Sequence, residues 1–361
     1  MKRIVLIDDY NYKKEHKIKT DGASTKTDNM YNYLKSKYSL DDVQVIRVLL
    51  PSWRKHPITN FLKIMLNIKK NDIVFILPNH VRLRLYAKLF RNHKKRNLKI
   101  FYMVVGGWLP EFLEKNLKIL NFCKEINGVF PETLQMVEML KRLGIDNTFY
   151  SPVFSAQTNP IPTDLYRLNI NEPIKICTFS RIDVEKGILL AIDAVADANK
   201  QLGKNVFFLE MYGRIMDESK VPFFNNYFNK NKDSCSYVGP LKSDEIIKVL
   251  NSHFLLLFPT FFWGEGFPGT LLEAYKAALP VVASDWRYNS ELVIDGETGF
   301  LFEAKNTKAL SNILIKCYNN YTKVLAMRKR CLDVGSMYTV DYCLESVNRL
   351  LERVIKLNED C

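Results

Sequence analysis

Two glutamates eight positions apart, Glu265 and Glu273, enclose the run Gly266-Phe267-Pro268-Gly269-Thr270. Carboxylates accept hydrogen bonds from hydroxyl groups. A turn without side-chain bulk at Gly266 and Gly269 lets backbone N–H groups approach an anion. If a helix begins at that turn, about half a positive charge from its macrodipole faces the same anion. Leu271, Leu272, Ala274, Tyr275 and Ala278 have the apolar spacing of such a helix, and Phe254 to Phe258 reads as a buried strand before the turn. Glu273 is expected in about the first turn of the helix, and Glu265 is expected to point into the cleft ahead of it. Hydroxyls at both ends with charge in the middle describe a sugar joined through a diphosphate to a ribose.

A second strand-to-helix junction lies upstream. Ile174 to Ser180 reads as a strand, and Leu189, Leu190, Ile192, Ala194 and Val195 give a following helix its apolar positions. Between them stand Arg181, Asp183, Lys186 and Gly187. Arg181 offers a planar fork of donors and Lys186 a mobile point charge, a pairing suited to a diphosphate. Each cation alone also reads as a solvated loop residue; beside the glutamate block, the diphosphate reading gains.

The order Ser180-Arg181, Lys186-Gly187, Glu265-x7-Glu273, Ala283-Ser284-Asp285 and Asp295-Gly296-Glu297-Thr298-Gly299-Phe300 resembles the C-terminal half of family-4 retaining glycosyltransferases, over about Ile174 to Phe302. The relatives it is most similar to are the bacterial capsular, exopolysaccharide and O-antigen enzymes. The resemblance implies the α/β GT-B fold: two Rossmann-like domains facing across a cleft, with a C-terminal helix crossing back to the first. It implies that Arg181 and Lys186 bind the donor diphosphate, Glu273 the ribose hydroxyls and Glu265 the donor sugar. Arg181, Lys186 and Glu265 are then the catalytic candidates, and Gly266, Phe267, Pro268, Gly269 and Thr270 complete the donor site.

The N-terminal half matches more loosely. Arg3 to Ile7 is a short apolar strand. The loop Asp21-Gly22-Ala23-Ser24-Thr25-Lys26-Thr27 follows, and a helix is expected from about Met30. This loop resembles a Gly-Gly-Ala-Ser-Thr-Lys segment of bacterial polysaccharide glycosyltransferases. Here Asp21 replaces the first glycine, and a carboxylate there would repel a phosphate; Gly22 is left to carry the turn. Gly22, Ser24 and Thr25 are candidate cleft residues, though an ordinary strand–helix loop also fits them. So are Gly106, Gly107 and Trp108, at the C-terminal end of the strand Lys99 to Val105, where open parallel sheets bind ligands. Trp108 reads either as a sugar-stacking ring or as a core tryptophan. Many members of the family use a histidine near this strand. None follows it here, and no catalytic histidine is assigned.

The 361 residues, 47% apolar, suit two domains. The expected division is 1–155, a linker at 156–173 containing Pro160, Pro162 and Pro173, a second domain at 174–340, and a helix at 341–361 whose apolar face is Leu344, Val347, Leu350, Leu351 and Ile355. Residues 1–160 carry 28 basic and 14 acidic side chains, a net of +14, whereas residues 161–361 carry 24 and 25, a net of −1. The excess is thus confined to the expected acceptor-side domain. Arg82 to Arg96 reads as an amphipathic helix, with Arg84, Lys88, Arg91 and Lys95, flanked by Lys94 and Arg96, offered to an anionic membrane surface. The same helix also reads as a solvated one packing its apolar side on the sheet. Trp53 to His56 adds a second basic–aromatic stretch.

No nucleic-acid-binding signature accompanies this charge. Seven scattered cysteines without CxxC spacing indicate a reducing compartment and neither a disulfide framework nor a metal site. No leader is read, and no apolar run approaches the ~18 residues of a spanning helix. The sequence therefore predicts a cytoplasmic protein, peripheral on the inner face of the plasma membrane. It is expected to be a metal-independent, retaining glycosyltransferase (EC 2.4) without cofactor. It would move a sugar from a UDP- or GDP-sugar to a lipid-linked (polyprenyl-diphosphate) or glycan acceptor in bacterial surface polysaccharide assembly. The alternatives are a catalytically silent GT-B partner subunit, or a GT-B sugar-nucleotide epimerase.

Overall fold

A computed structural model describes residues 2–10, 22–38, 43–154 and 172–357. The chain divides into two compact units, Met1–Ala156 with Thr339–Cys361, and Gln157–Tyr338. The expected linker falls outside the described residues apart from Glu172 and Pro173, and Asp21 lies outside them too.

Unit 1 runs β1 (Lys2–Asp8), α1 (Gly22–Lys37), β2 (Val43–Leu49), α2 (Pro57–Asn67), β3 (Ile73–Ile76), α3 (His80–Leu89), β4 (Lys99–Met103), α4 (Leu109–Glu114), α5 (Leu117–Glu125), β5 (Gly128–Phe130) and α6 (Leu134–Arg142). Unit 2 runs β6 (Ile174–Phe179), α7 (Ile188–Leu202), β7 (Phe207–Tyr212), α8 (Val221–Lys230), β8 (Cys235–Gly239), α9 (Ile246–Asn251), β9 (Leu256–Phe258), α10 (Gly269–Lys276), β10 (Val281–Asp285), α11 (Asn289–Leu292), β11 (Gly299–Glu303), α12 (Thr307–Asn319) and α13 (Tyr321–Met337). The last helix, α14 (Val340–Leu357), belongs to unit 1.

Both sheets are parallel. Their central strands are continuous apolar runs, such as Ile4–Ile7 and Ile73–Ile76, because helices bury both faces. The orders are β2-β1-β3-β4-β5 and β11-β10-β9-β6-β7-β8. In unit 1 the chain steps outward from β1 to β2 and returns to β3 on the other side. In unit 2 it steps from β6 through β7 to β8 and returns to β9 beside β6. The reversals, between β1 and β3 and between β6 and β9, open crevices at the carboxyl ends of the strands, where such sheets take ligands.

The final helix has the periodicity of a one-faced element. Cys343, Leu344, Val347, Leu351 and Val354 are buried, while Glu345, Arg349 and Glu352 face outward. It is fixed to unit 1 by Ser151 Oγ, which donates to the Cys343 carbonyl (2.9 Å), and by Ser346 Oγ, which donates to the Tyr150 carbonyl (2.6 Å).

Two sequence expectations are corrected. The glycine-led loop of the first domain is not a loop: α1 starts at Gly22, so Ser24 and Thr25 sit in its opening turn. The basic helix expected over Arg82 to Arg96 ends at Leu89, where the Phe90 N–H closes on the Tyr86 carbonyl. Beyond it, successive turns carry the chain to Asn97, which adopts a left-handed φ of 50°. His93 drives this reversal, because its ring is buried and its Nδ1 bonds the Phe90 carbonyl at 2.9 Å. Arg91, Lys94, Lys95 and Arg96 therefore form a basic turn rather than a helical stripe with Arg84 and Lys88.

Candidate functional site

The crevice between β6 and β9 gathers the residues that the sequence singles out in two distant blocks. Past β6, Asp183 accepts the Glu185 N–H and opens a short 3-10 turn over Val184–Lys186. Gly187 ends the turn at φ +73°, in the left-handed region that costs glycine least. A Cβ at Gly187 would stand 2.0 Å from the Pro259 carbonyl oxygen, so the absence of a side chain lets this turn close against the strand-β9 exit. Lys186 is thereby directed at Glu265, and the two form an ion pair at 2.6 Å with side chains only 10% and 9% exposed. Glu265 Oε2 also accepts from Thr260 Oγ1 at 2.8 Å.

The loop bearing Glu265 is held from several sides. The Phe261 N–H donates to the Glu185 carbonyl (2.8 Å), Trp286 Nε1 to the Phe262 carbonyl (2.8 Å) and Ser284 Oγ to the Thr260 carbonyl. Both cations lie near the Phe262 ring, with Arg181 Cζ at 5.3 Å and Lys186 Nζ at 4.9 Å from its centroid. These distances are in the range of cation–π attraction. Among the described residues the Arg181 guanidinium has no carboxylate partner, so its fork of donors remains available at the rim.

Helix α10 supplies the third component. Its first residue, Gly269, is exposed, and a Cβ there would meet nothing within 4 Å. The fold does not demand a glycine at this point; its effect is to leave the helix N-terminus bare. Thr270 Oγ1 donates to the Phe179 carbonyl at the end of β6 (2.8 Å), tying that N-terminus beside Ser180-Arg181. Phe267 and Pro268 are buried, and the Phe267 ring packs edge-on against Tyr338. Of that run, backbone rather than side chain is left to face a ligand. Glu273 lies one turn into α10 and is half-buried. The segment from Asp295 to Phe300 anchors the helix from below. Tyr275 Oη donates to the Leu292 carbonyl (2.9 Å) and lies 3.0 Å from Thr298 Oγ1.

The candidate residues of unit 1 collect at the carboxyl edge of its own sheet. Lys26 is buried, and its Nζ donates to the Val104 carbonyl and to Glu132 Oε1, each at 2.6 Å. That bond joins the opening turn of α1 to the exits of β4 and β5, next to Gly106 and Gly107. Of the two readings of Trp108, the core one fits its packing: it is buried, its Nε1 donates to the Val105 carbonyl (2.7 Å), and its ring meets Phe112 and His80 edge-on.

Sequence reasoning missed several members of these clusters. Thr260 and Phe262 carried no motif, although the aromatic run Phe261-Phe262-Trp263 ahead of Glu265 was a visible signal. His80 precedes strand β4 in sequence, yet it places its ring 5.3 Å from that of Trp108 beyond the strand's end. Asp9 sits at the β1/β3 reversal and accepts from Tyr86 Oη (2.8 Å) and Trp53 Nε1 (3.1 Å). Burial raises its carboxyl pKa, opposed by the nearby Arg82 guanidinium and by these two donors.

The sequence profile described as glycosyl transferases group 1 matches residues 163–332. Over 151 residues the chain is 26% identical to the amylovoran biosynthesis glycosyltransferase AmsK of Erwinia amylovora, which is 41% of this chain and 36% of AmsK. Over 192 residues it is 24% identical to the GtfA subunit of a UDP-N-acetylglucosamine–peptide N-acetylglucosaminyltransferase of Streptococcus pneumoniae, covering 51% of this chain and 36% of GtfA. The chain thus spans less than half the length of these curated relatives. In fold it is similar to HepE of Anabaena in complex with UDP, with a TM-score of 0.73, 17% identity, and coverage of 98% of this chain and 100% of that one. It is also similar to the sucrose-phosphate synthase of Thermosynechococcus elongatus, with a TM-score of 0.76, 14% identity, and coverage of 99% and 100%.

Proposed function

We propose, from the premise that the second unit of this chain belongs to the glycosyl transferases group 1 family and that the chain has the GT-B fold, that it is a retaining glycosyltransferase taking a sugar from a UDP-type donor. The observation that carries this reading is the convergence at the β6/β9 reversal. Arg181, the Lys186–Glu265 pair and the bare N-terminus of α10 meet there, although their sequence positions span some ninety residues.

Cleavage of a glycosidic C–O bond to a nucleoside diphosphate builds negative charge on the leaving phosphates. Donors already fixed at that point stabilise the charge without reorganising. Arg181 offers a bidentate fork, and α10 offers its first N–H groups from Gly269 onward. Lys186 comes within reach when the donor sugar draws Glu265 into hydroxyl contacts. Glu265 then positions the sugar, and Glu273 accepts the ribose hydroxyls. With the leaving phosphate itself taking the acceptor's proton, attack occurs on the face that the leaving group vacates, and configuration is retained. The positive charge comes from protein groups, so transfer should persist in a chelator.

The acceptor we assign is a lipid-linked or glycan acceptor of bacterial surface polysaccharide assembly. This is supported by the likeness to an amylovoran biosynthesis enzyme. A reducing, cytoplasmic setting is supported by the burial of Cys123, Cys177, Cys235, Cys317 and Cys331, none of which forms a disulfide. Burial pushes the Cys123 thiol up to about 12, leaving it unreactive.

The test is release of nucleoside diphosphate from UDP- and GDP-sugars by the purified chain, with and without polyprenyl-diphosphate-linked sugars. One donor should turn over, faster with the acceptor, and Arg181→Ala should lower the rate about 100-fold or more. Absence of turnover with every donor by a folded protein would overturn the proposal.

A further inference from the structure

Sixteen large apolar side chains are exposed among the described residues, and five of them fall within the nine residues Ile58–Leu66. They are Ile58 (74% exposed), Phe61 (47%), Leu62 (51%), Met65 (41%) and Leu66 (78%). At about 100° per residue these positions share an arc of roughly 140° on helix α2. The opposite face is the polar one. Asn60 is buried and donates to the Pro51 carbonyl (2.8 Å), Lys63 Nζ reaches the Leu49 carbonyl (3.4 Å), and the Asn67 carbonyl accepts from Arg3 (2.7 Å). Only Ile64 among the inward side chains is both apolar and buried. The helix is therefore inside-out: its protein-facing side is held by hydrogen bonds, and its solvent-facing side has the composition of a core.

The charge around this stripe identifies what covers it. Val43 to Asn71 contains no acidic residue and includes Arg47, Arg54, Lys55, Lys63, Lys69 and Lys70. Arg54 and Lys55 are exposed at the start of α2, and Lys69 and Lys70 just past its end. Arg96 donates to the Ile68 carbonyl, and the Asn71 N–H donates to the Arg96 carbonyl (3.1 Å). The basic turn with exposed Arg91, Lys94 and Lys95 therefore lies against the same end; Lys94 is shared with Glu125 at 3.3 Å. An apolar stripe with cations at both ends matches a surface that is hydrocarbon inside and anionic outside. A second copy of the chain would set like charges against each other in a two-fold interface.

We propose that α2 is an in-plane anchor whose Ile58, Phe61, Leu62, Met65 and Leu66 enter an anionic lipid bilayer surface while Arg54, Lys55, Lys69 and Lys70 contact the headgroups. Such helices bind through buried apolar area together with electrostatic attraction. This moves the membrane contact from the α3 region expected from sequence to the preceding helix. It holds whatever the donor site binds.

The experiment is sedimentation of the full chain with vesicles of phosphatidylcholine alone and with about one-third phosphatidylglycerol. The protein should sediment with the anionic vesicles and be released by high salt. Leu62→Gln/Leu66→Gln should weaken partitioning about tenfold or more with an unchanged melting temperature, since both side chains are exposed. Arg54→Gln/Lys55→Gln should weaken it several-fold on anionic vesicles. The proposal is overturned if the wild type stays in the supernatant with both vesicles, or if the double glutamine variant sediments like wild type. It is equally overturned if lipid-free ultracentrifugation shows a dimer that this variant dissociates, because the face would then be a protein interface.

Discussion

Breaking the Lys186–Glu265 pair from one side leaves a charge in a site with little water, and such losses cost about 3–5 kcal/mol. Lys186→Met should therefore lower stability by roughly that amount, as should Glu265→Leu. The double variant should recover much of the loss, because no orphaned charge remains. Transfer should be abolished in all three. Denaturant titration beside turnover separates the effects: a double variant that recovers both stability and activity would make the pair structural only. Both residues could be picked out from sequence as candidates, because a Lys after a strand and a Glu before a glycine turn are recognisable chemistry. Their contact with each other could not, since a separation of 79 positions gives no local signal. Trp108 shows the converse. Its type left a sugar-stacking ring and a core residue both open, and the packing of His80 and Phe112 around it is that of a core residue.

At the level of elements, two glycines with similar motif status should behave differently. Gly187→Ala forces a left-handed φ of +73° and a 2.0 Å approach to the Pro259 carbonyl, and should cost about 1–3 kcal/mol or more. Gly269→Ala meets no neighbour and should change stability by less than about 0.5 kcal/mol, yet weaken nucleoside-diphosphate binding by covering the α10 N-terminus. Equal melting temperatures for the two variants would contradict this. The junction of β6 and β7 carries a pH-dependent contribution. Hydrogen bonds from His253 Nε2 (3.1 Å), Lys175 Nζ (2.7 Å) and Tyr212 Oη (2.6 Å) hold the Glu210 carboxyl well below the usual carboxylate range. A depressed folded pKa stabilises above the unfolded value, about 4.5, and that stability is lost as pH falls further. Acid denaturation should therefore steepen below about pH 4.5, and Glu210→Gln should flatten the curve there; an unaltered curve would remove Glu210 from the cause. Strand and helix existence was readable from apolar runs, whereas boundaries were not. Nothing local said that α1 begins at Gly22, where Lys26 is drawn inward to Glu132, or that His93 turns the chain after α3.

On the scale of the molecule, two parallel sheets followed from alternating strand and helix patterns, and the packing of the final helix on the first unit followed from the resemblance to GT-B enzymes, with the apolar face of α14 marking the candidate. The charge asymmetry was plain in composition. Cation spacing draws attention to α3, while the exposed apolar stripe of α2, which we propose as the membrane contact, appears only when burial is known. The central claim is that the β6/β9 crevice binds a nucleoside diphosphate. Isothermal titration of the full chain with UDP and with GDP, in chelator, tests it most directly when run beside Arg181→Ala and Gly269→Ala. One nucleotide should bind at a single site, with affinity reduced about tenfold or more in each variant. No binding of either nucleotide, or binding that both variants leave unchanged, would contradict it.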